Sequence, residues 1–118
     1  MFLKVLKSKL HGATVTDAKL DYPGSIAIDA TLMNAAGILP YESVLVANSD
    51  NGSRLETYAV AAEANSGQVI ILGPAAHLIK ARDVIIVFSF AFCTPEEAKK
   101  LKPKIVILGE ANEIKDTG

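Results

Sequence analysis

Ser43-Val44-Leu45-Val46-Ala47-Asn48-Ser49-Asp50-Asn51-Gly52-Ser53-Arg54-Leu55-Glu56-Thr57-Tyr58-Ala59-Val60-Ala61-Ala62 is the stretch that decides the fold class. Ser43 to Asn48 is rich in valine and leucine, side chains that suit a pleated, half-buried surface. Asn51-Gly52 is the strongest short hairpin signal in the chain. Arg54 to Ala62 is then expected to return antiparallel. Upstream, Ser25 to Asp29 alternates as a strand, and Asp29 or Thr31 can cap a short helix, Leu32 to Ala36, that Gly37 stops. Phe2 to Leu10 interleaves lysines with valine and leucine, and Ala13 to Thr16 alternates. Downstream, Gln68 to Leu72 reads as a strand. Gly73 to Leu78 reads as a helical turn with Pro74 at an early position, where a missing N–H costs nothing. Asp83 to Phe92 reads as a central strand, apolar on both faces. Thr94-Pro95-Glu96-Glu97 is a capping box that opens a helix to about Leu101. Ile105 to Leu108 is a last strand, and Glu110 to Gly118 a polar tail. Seven or so short strands with two or three short helices make the chain mainly β, and a small closed β barrel removes the exposed edges.

The 118 residues suffice for a single domain, 1–118, with a real core. Half are hydrophobic and the net charge is -1, which argues against a nucleic-acid module, usually strongly basic. Cys93 stands alone, so no intramolecular disulfide forms. With only His11 and His77 beside it there is no zinc set, and no metal is expected. The longest uncharged apolar run, Val84 to Cys93, falls well short of the roughly 20 residues of a membrane span. Lysines interrupt the apolar residues at the N-terminus, so no signal peptide and no membrane association are expected. The expected compartment is the cytoplasm, with which a free cysteine agrees.

Three groups of residues could carry chemistry. Tyr22-Pro23-Gly24-Ser25 suits a type II turn, with proline presetting one φ and glycine taking the positive one. A serine directly after a strained glycine can also attack the carbonyl behind it, turning the peptide into an ester that eliminates and hydrolyses to a pyruvoyl group. Arg54 and Tyr58 share a face of their strand, a carboxylate clamp beside a proton donor. Lys7, Lys9 and His11 share the parity opposite to Leu6, Ser8 and Leu10. Taken alone, each pattern reads first as a plain turn or a solvated face. His77 reads as structural and Cys93 as core.

Several short segments, in order, carry more. Lys9-Leu10-His11, Leu20 to Asp29 around Tyr22-Pro23-Gly24-Ser25, Ala35-Ala36-Gly37-Ile38, Asn51 to Tyr58, Gly73-Pro74-Ala75-Ala76 and Arg82 to Ile86 together resemble the aspartate 1-decarboxylases. These are pyruvoyl-dependent bacterial enzymes that make β-alanine for pantothenate, and hence coenzyme A. The resemblance implies a double-psi β barrel assembled as a homotetramer with sites between subunits. It implies self-cleavage between Gly24 and Ser25 into a β chain, 1–24, and an α chain, 25–118. Ser25 becomes the covalent pyruvoyl cofactor, which condenses with the amine of L-aspartate as a Schiff base and serves as the electron sink for loss of CO2. Lys9 and Arg54 match substrate-carboxylate contacts and Tyr58 the proton donor. Thr57 matches the residue that assists cleavage and lines the site. Gly73, Pro74 and Ala75 match substrate-binding positions, and Tyr22 and His11 supporting ones.

Two positions depart from the family pattern: Leu72, where relatives commonly carry asparagine, and Pro23, often not proline. Thr57 is also out of phase with Arg54 and Tyr58 on a regular strand, so a bulge or a contact across a subunit interface is expected. The competing reading is a non-catalytic β-barrel binding module whose Gly24-Ser25 turn never rearranges.

Overall fold

The hairpin at the centre of the sequence forms as read. In a computed structural model describing residues 1–118, β4 (Ser43–Asn48) and β5 (Arg54–Ala62) pair antiparallel, from Ala47 opposite Arg54 to Ser43 opposite Tyr58. The turn is longer than a two-residue one. Gly52 N donates to Asn48 O at 2.8 Å, and Gly52, at φ 77°, takes the left-handed place.

Around the hairpin lie β1 (Leu3–Thr14), β2 (Asp17–Lys19), β3 (Ser25–Asp29), β6 (Val69–Leu72), β7 (Val84–Cys93), β8 (Lys104–Leu108) and β9 (Ile114–Thr117). They form one mixed sheet in the order β2-β6-β3-β5-β4-β7-β1-β8-β9. Leu10, Ile26, Val46, Ala59, Ile71, Ile85 and Val106, from seven of these strands, share one buried cluster, so the sheet wraps a common core. A fully buried side chain of this kind is worth about 1.5–3 kcal/mol. No helix is long and apolar enough to cross a membrane.

Helix α1 (Ala30–Ala36) is capped by Asp29 and stopped by Gly37 in the left-handed region. The Asp29 carboxylate also accepts from the backbone N–H groups of Asn65 and Gly67, both at 2.9 Å. Its burial favours the neutral form, but these donors and Thr31 together hold its pKa below the usual value. Helix α2 (Pro95–Lys100) opens with the Thr94–Glu97 capping box.

Several expectations needed correction. Strand β3 keeps its bounds but is buried along its whole length, because it lies inside the sheet between β5 and β6. The N-terminal strand runs on to Thr14, with register shifts at Lys7 and Gly12. The first shift takes Lys7 out of the parity that Lys9 and His11 keep. Ser8 and Leu10 point into the core and Lys9 and His11 outward, while Lys7 Nζ reaches the Glu42 carboxylate at 2.9 Å. The short strand β2 carries too few residues to show a period. The polar tail is structured: β9 pairs with β8, and buried Asn112 donates to Thr14 O and Gly67 O and accepts from Thr14 N.

Candidate active site

The Gly24–Ser25 junction sits where β6 ends. Gly73 follows β6 at φ 88°, ψ −154°, a region essentially reserved for glycine. Its N–H donates to Lys19 O at 2.8 Å. A Cβ on Gly73 would lie 2.7 Å from Tyr22 O, 2.8 Å from Gly24 Cα and 2.9 Å from Gly24 N. The absent side chain is what lets this backbone press against the turn carrying the junction. Gly24 itself lies outside the left-handed region, so the expected type II turn does not form. Ser25 is already held in β3 opposite Leu72, and the positive φ sits across the gap on Gly73.

Strand β3 runs parallel to β5, with Ile26 beside Ala59. The ladder starts there; one step back places Ser25 beside Tyr58, and Gly24 lies beyond the strand, at a bend. Strand β5 pairs with β4 without a shift from Arg54 to Tyr58, so no bulge turns Thr57 round. Consecutive residues on both strands serve opposite faces. Arg54, Glu56 and Tyr58 therefore share one face of β5, that of Ser25, and Leu55 and Thr57 the other. A pocket of about 340 Å³ touches Gly24, Thr57, Pro74 and Ala75. Leu55, Glu56 and Leu78 complete its wall. Leu55 could have been found by its parity with Thr57. Leu78 is placed by long-range bonds: Asn48 and Asn51 donate to its carbonyl at 3.2 and 3.0 Å.

Ser25 is 6% exposed. Tyr22 is half exposed on the turn, with Lys19 Nζ 5.8 Å from its ring centre. Leu72 beside Ser25 makes this wall apolar.

Lys9 and His11 lie elsewhere. His11 pairs with Ile86, Ile86 with Ala47, and Ala47 with Arg54. Lys9 reaches Glu56 in the same way through Phe88 and Leu45. Three strand spacings separate β1 from β5, about 14 Å. Gly24, Thr57, Pro74 and Ala75 share that pocket, with Gly73 packed on Gly24 and Ser25 opposite Leu72, whereas Arg54 and Tyr58 on the other face of β5, and Lys9 and His11 on β1, do not line it.

The sequence profile of the aspartate decarboxylase family matches residues 1–115. The chain belongs to the aspartate decarboxylase family. It is 50% identical over 109 residues to the aspartate 1-decarboxylase of Thermoanaerobacter pseudethanolicus, covering 92% of this chain and 93% of that one. It is 48% identical over 114 residues to that of Clostridium acetobutylicum, covering 97% and 90%. With the Bacillus licheniformis aspartate 1-decarboxylase it shares 45% over 116 residues, covering 98% and 91%.

Proposed function

We propose that this aspartate decarboxylase family member processes itself between Gly24 and Ser25 and then converts L-aspartate to β-alanine and CO2. The observation that carries the reading is Gly73 pressed, without a side chain, on the backbone of Tyr22 and Gly24, with Thr57 in the adjoining pocket.

In processing, the Ser25 hydroxyl oxygen attacks the Gly24 carbonyl carbon and gives up its proton. The Gly24–Ser25 C–N bond breaks, the Ser25 nitrogen takes a proton, and an ester remains. Loss of the Ser25 Cα proton expels Gly24 as a carboxylate and leaves dehydroalanine. One water then releases ammonia and leaves a keto group at the new N-terminus. Thr57, on the Gly24 side, supports the carbonyl under attack.

The cradle around the junction fits such a group, which supplies an electron sink for loss of a carboxylate. The chain's own residues bind and protonate. The planar Arg54 guanidinium grips the side-chain carboxylate of aspartate, fixing which carboxylate leaves. Tyr58, on Ser25's face, donates a proton to Cα after CO2 departs. Pro74 and Ala75 wall the pocket. Lys9 and His11, on a strand that β7 and β4 separate from β5, come from a second copy of the chain. The sites thus lie between subunits of a homotetramer built of barrels of the double-psi type.

The test is incubation of the purified protein with L-aspartate, reading β-alanine and CO2, with L-glutamate as control. Formation of β-alanine from the native chain and none from Ser25→Ala supports the reading. Equal turnover by Ser25→Ala, or none by the native chain, overturns it.

A further inference from the structure

Tyr41 stands in the left-handed region at φ 70°, where an aromatic residue is an outlier. Its N–H donates to Ala59 O at 2.6 Å, and Ala59 N donates to Glu42 O at 3.0 Å. Tyr41 and Glu42 thus oppose a single residue, a bulge whose first position is usually glycine's. The bulge throws the Tyr41 ring to the outer face of the sheet, its centre 6.2 Å from that of Tyr58 and tilted by 37°.

The strained turn is bolted down from below. The Glu42 carboxylate accepts from Lys7 Nζ at 2.9 Å, from Leu39 N at 3.0 Å and from the Ser89 hydroxyl. Lys7 Nζ also donates to Gly37 O at 2.9 Å. Strands β1 and β7 therefore hold a backbone conformation that Tyr41 would not choose alone. Strain that its surroundings over-determine is a mark of a working position. The packing of the core does not need this ring, which is 77% exposed.

We propose that Tyr41 is a positioning residue for Tyr58: its ring closes the β4 side of the phenol and directs the hydroxyl toward the Ser25 side. This rests on Tyr58 being the proton donor. The test is Tyr41→Asn, because asparagine tolerates the left-handed region and should relieve the strain. The melting temperature is expected to rise by a few degrees. The kcat for β-alanine formation is expected to fall about three- to tenfold, the size of one lost ring contact, with KM nearly unchanged. Tyr41→Phe, which keeps the ring, restores kcat. In a Tyr58→Phe background, Tyr41→Asn has no further effect on kcat. Unchanged kcat in Tyr41→Asn, or loss of kcat and melting temperature together, overturns the inference. If Tyr58→Phe alone keeps full kcat, the assignment of the proton donor fails instead, and the two failures are distinguished.

Discussion

Replacing Gly73 by alanine places a methyl group where backbone already stands. The new Cβ would meet Tyr22 O at 2.7 Å, Gly24 Cα at 2.8 Å and Gly24 N at 2.9 Å, none of them the end of a flexible side chain. The position also holds φ 88° and ψ −154°, which costs a non-glycine residue about 1–3 kcal/mol. Overpacking adds about 1–3 kcal/mol, so the total is about 2–6 kcal/mol. A domain's whole stability is about 5–15 kcal/mol, so many Gly73→Ala chains should still fold, with a lower melting temperature. The strain is relieved by pushing the Tyr22–Gly24 turn away. A displacement near 1 Å costs on the order of 10² in rate, so self-cleavage should slow by about that factor. Gly52→Ala is the control: it carries φ 77° but has nothing within 4 Å, so it loses stability without losing cleavage. Gly24→Ala meets only Pro74 Cδ at 3.9 Å and should leave the fold intact. Denaturing mass spectrometry over a time course reads the cleaved fraction, and calorimetry the melting temperature. Cleavage of Gly73→Ala at the native rate would refute the cradle.

Arg54→Lys keeps a charge but loses the two-pronged grip, so KM for L-aspartate should rise about tenfold or more while cleavage continues; an unchanged KM removes Arg54 from the clamp. Ser25→Ala and Lys9→Ala chains, each inactive alone, should recover about a quarter of native activity when co-assembled; no recovery means that the sites are not shared between copies. Burial favours a neutral Glu42, but bonds from Ser89, Leu39 and Lys7 outweigh it and lower its pKa. Stability from this group is therefore complete above the usual carboxylate range and lost as pH falls through the lowered value, and Glu42→Gln should flatten that acid limb of the melting curve. Asn112→Ala strips partners from Thr14 N, Thr14 O and Gly67 O and should cost about 2–4 kcal/mol, read by urea unfolding; a loss below 1 kcal/mol would make the C-terminal strap incidental.

The hairpin, α1, the Pro74 turn and the Thr94 box were legible because each is written in adjacent residues. Alternation and caps are local signals, and so is the even spacing that puts Arg54 and Tyr58 on one face. What the sequence hid depends on pairing between distant segments. The bulge at Lys7 takes that residue out of the parity of Lys9 and His11, and its amine meets Glu42, far along the chain. The tail gains structure only through Asn112 meeting Thr14 and Gly67. Thr57 stays out of phase with Arg54 and Tyr58, since β5 carries no bulge there, and it lines the pocket beside Gly24 instead. The left-handed place at the junction was expected on Gly24 but belongs to Gly73, which only the approach of β6 could reveal. Tyr41 gave no sequence signal, since nothing local marks a tyrosine for positive φ.

The central claim is that Ser25 is converted in place by its own attack on Gly24. Its most direct test is the intact mass of the protein under denaturing conditions after prolonged incubation. Two fragments are expected, residues 1–24 and 25–118, with the larger lighter than a serine-initiated chain by the mass of one ammonia. A single uncleaved chain, or a larger fragment that still begins with intact serine, would contradict it.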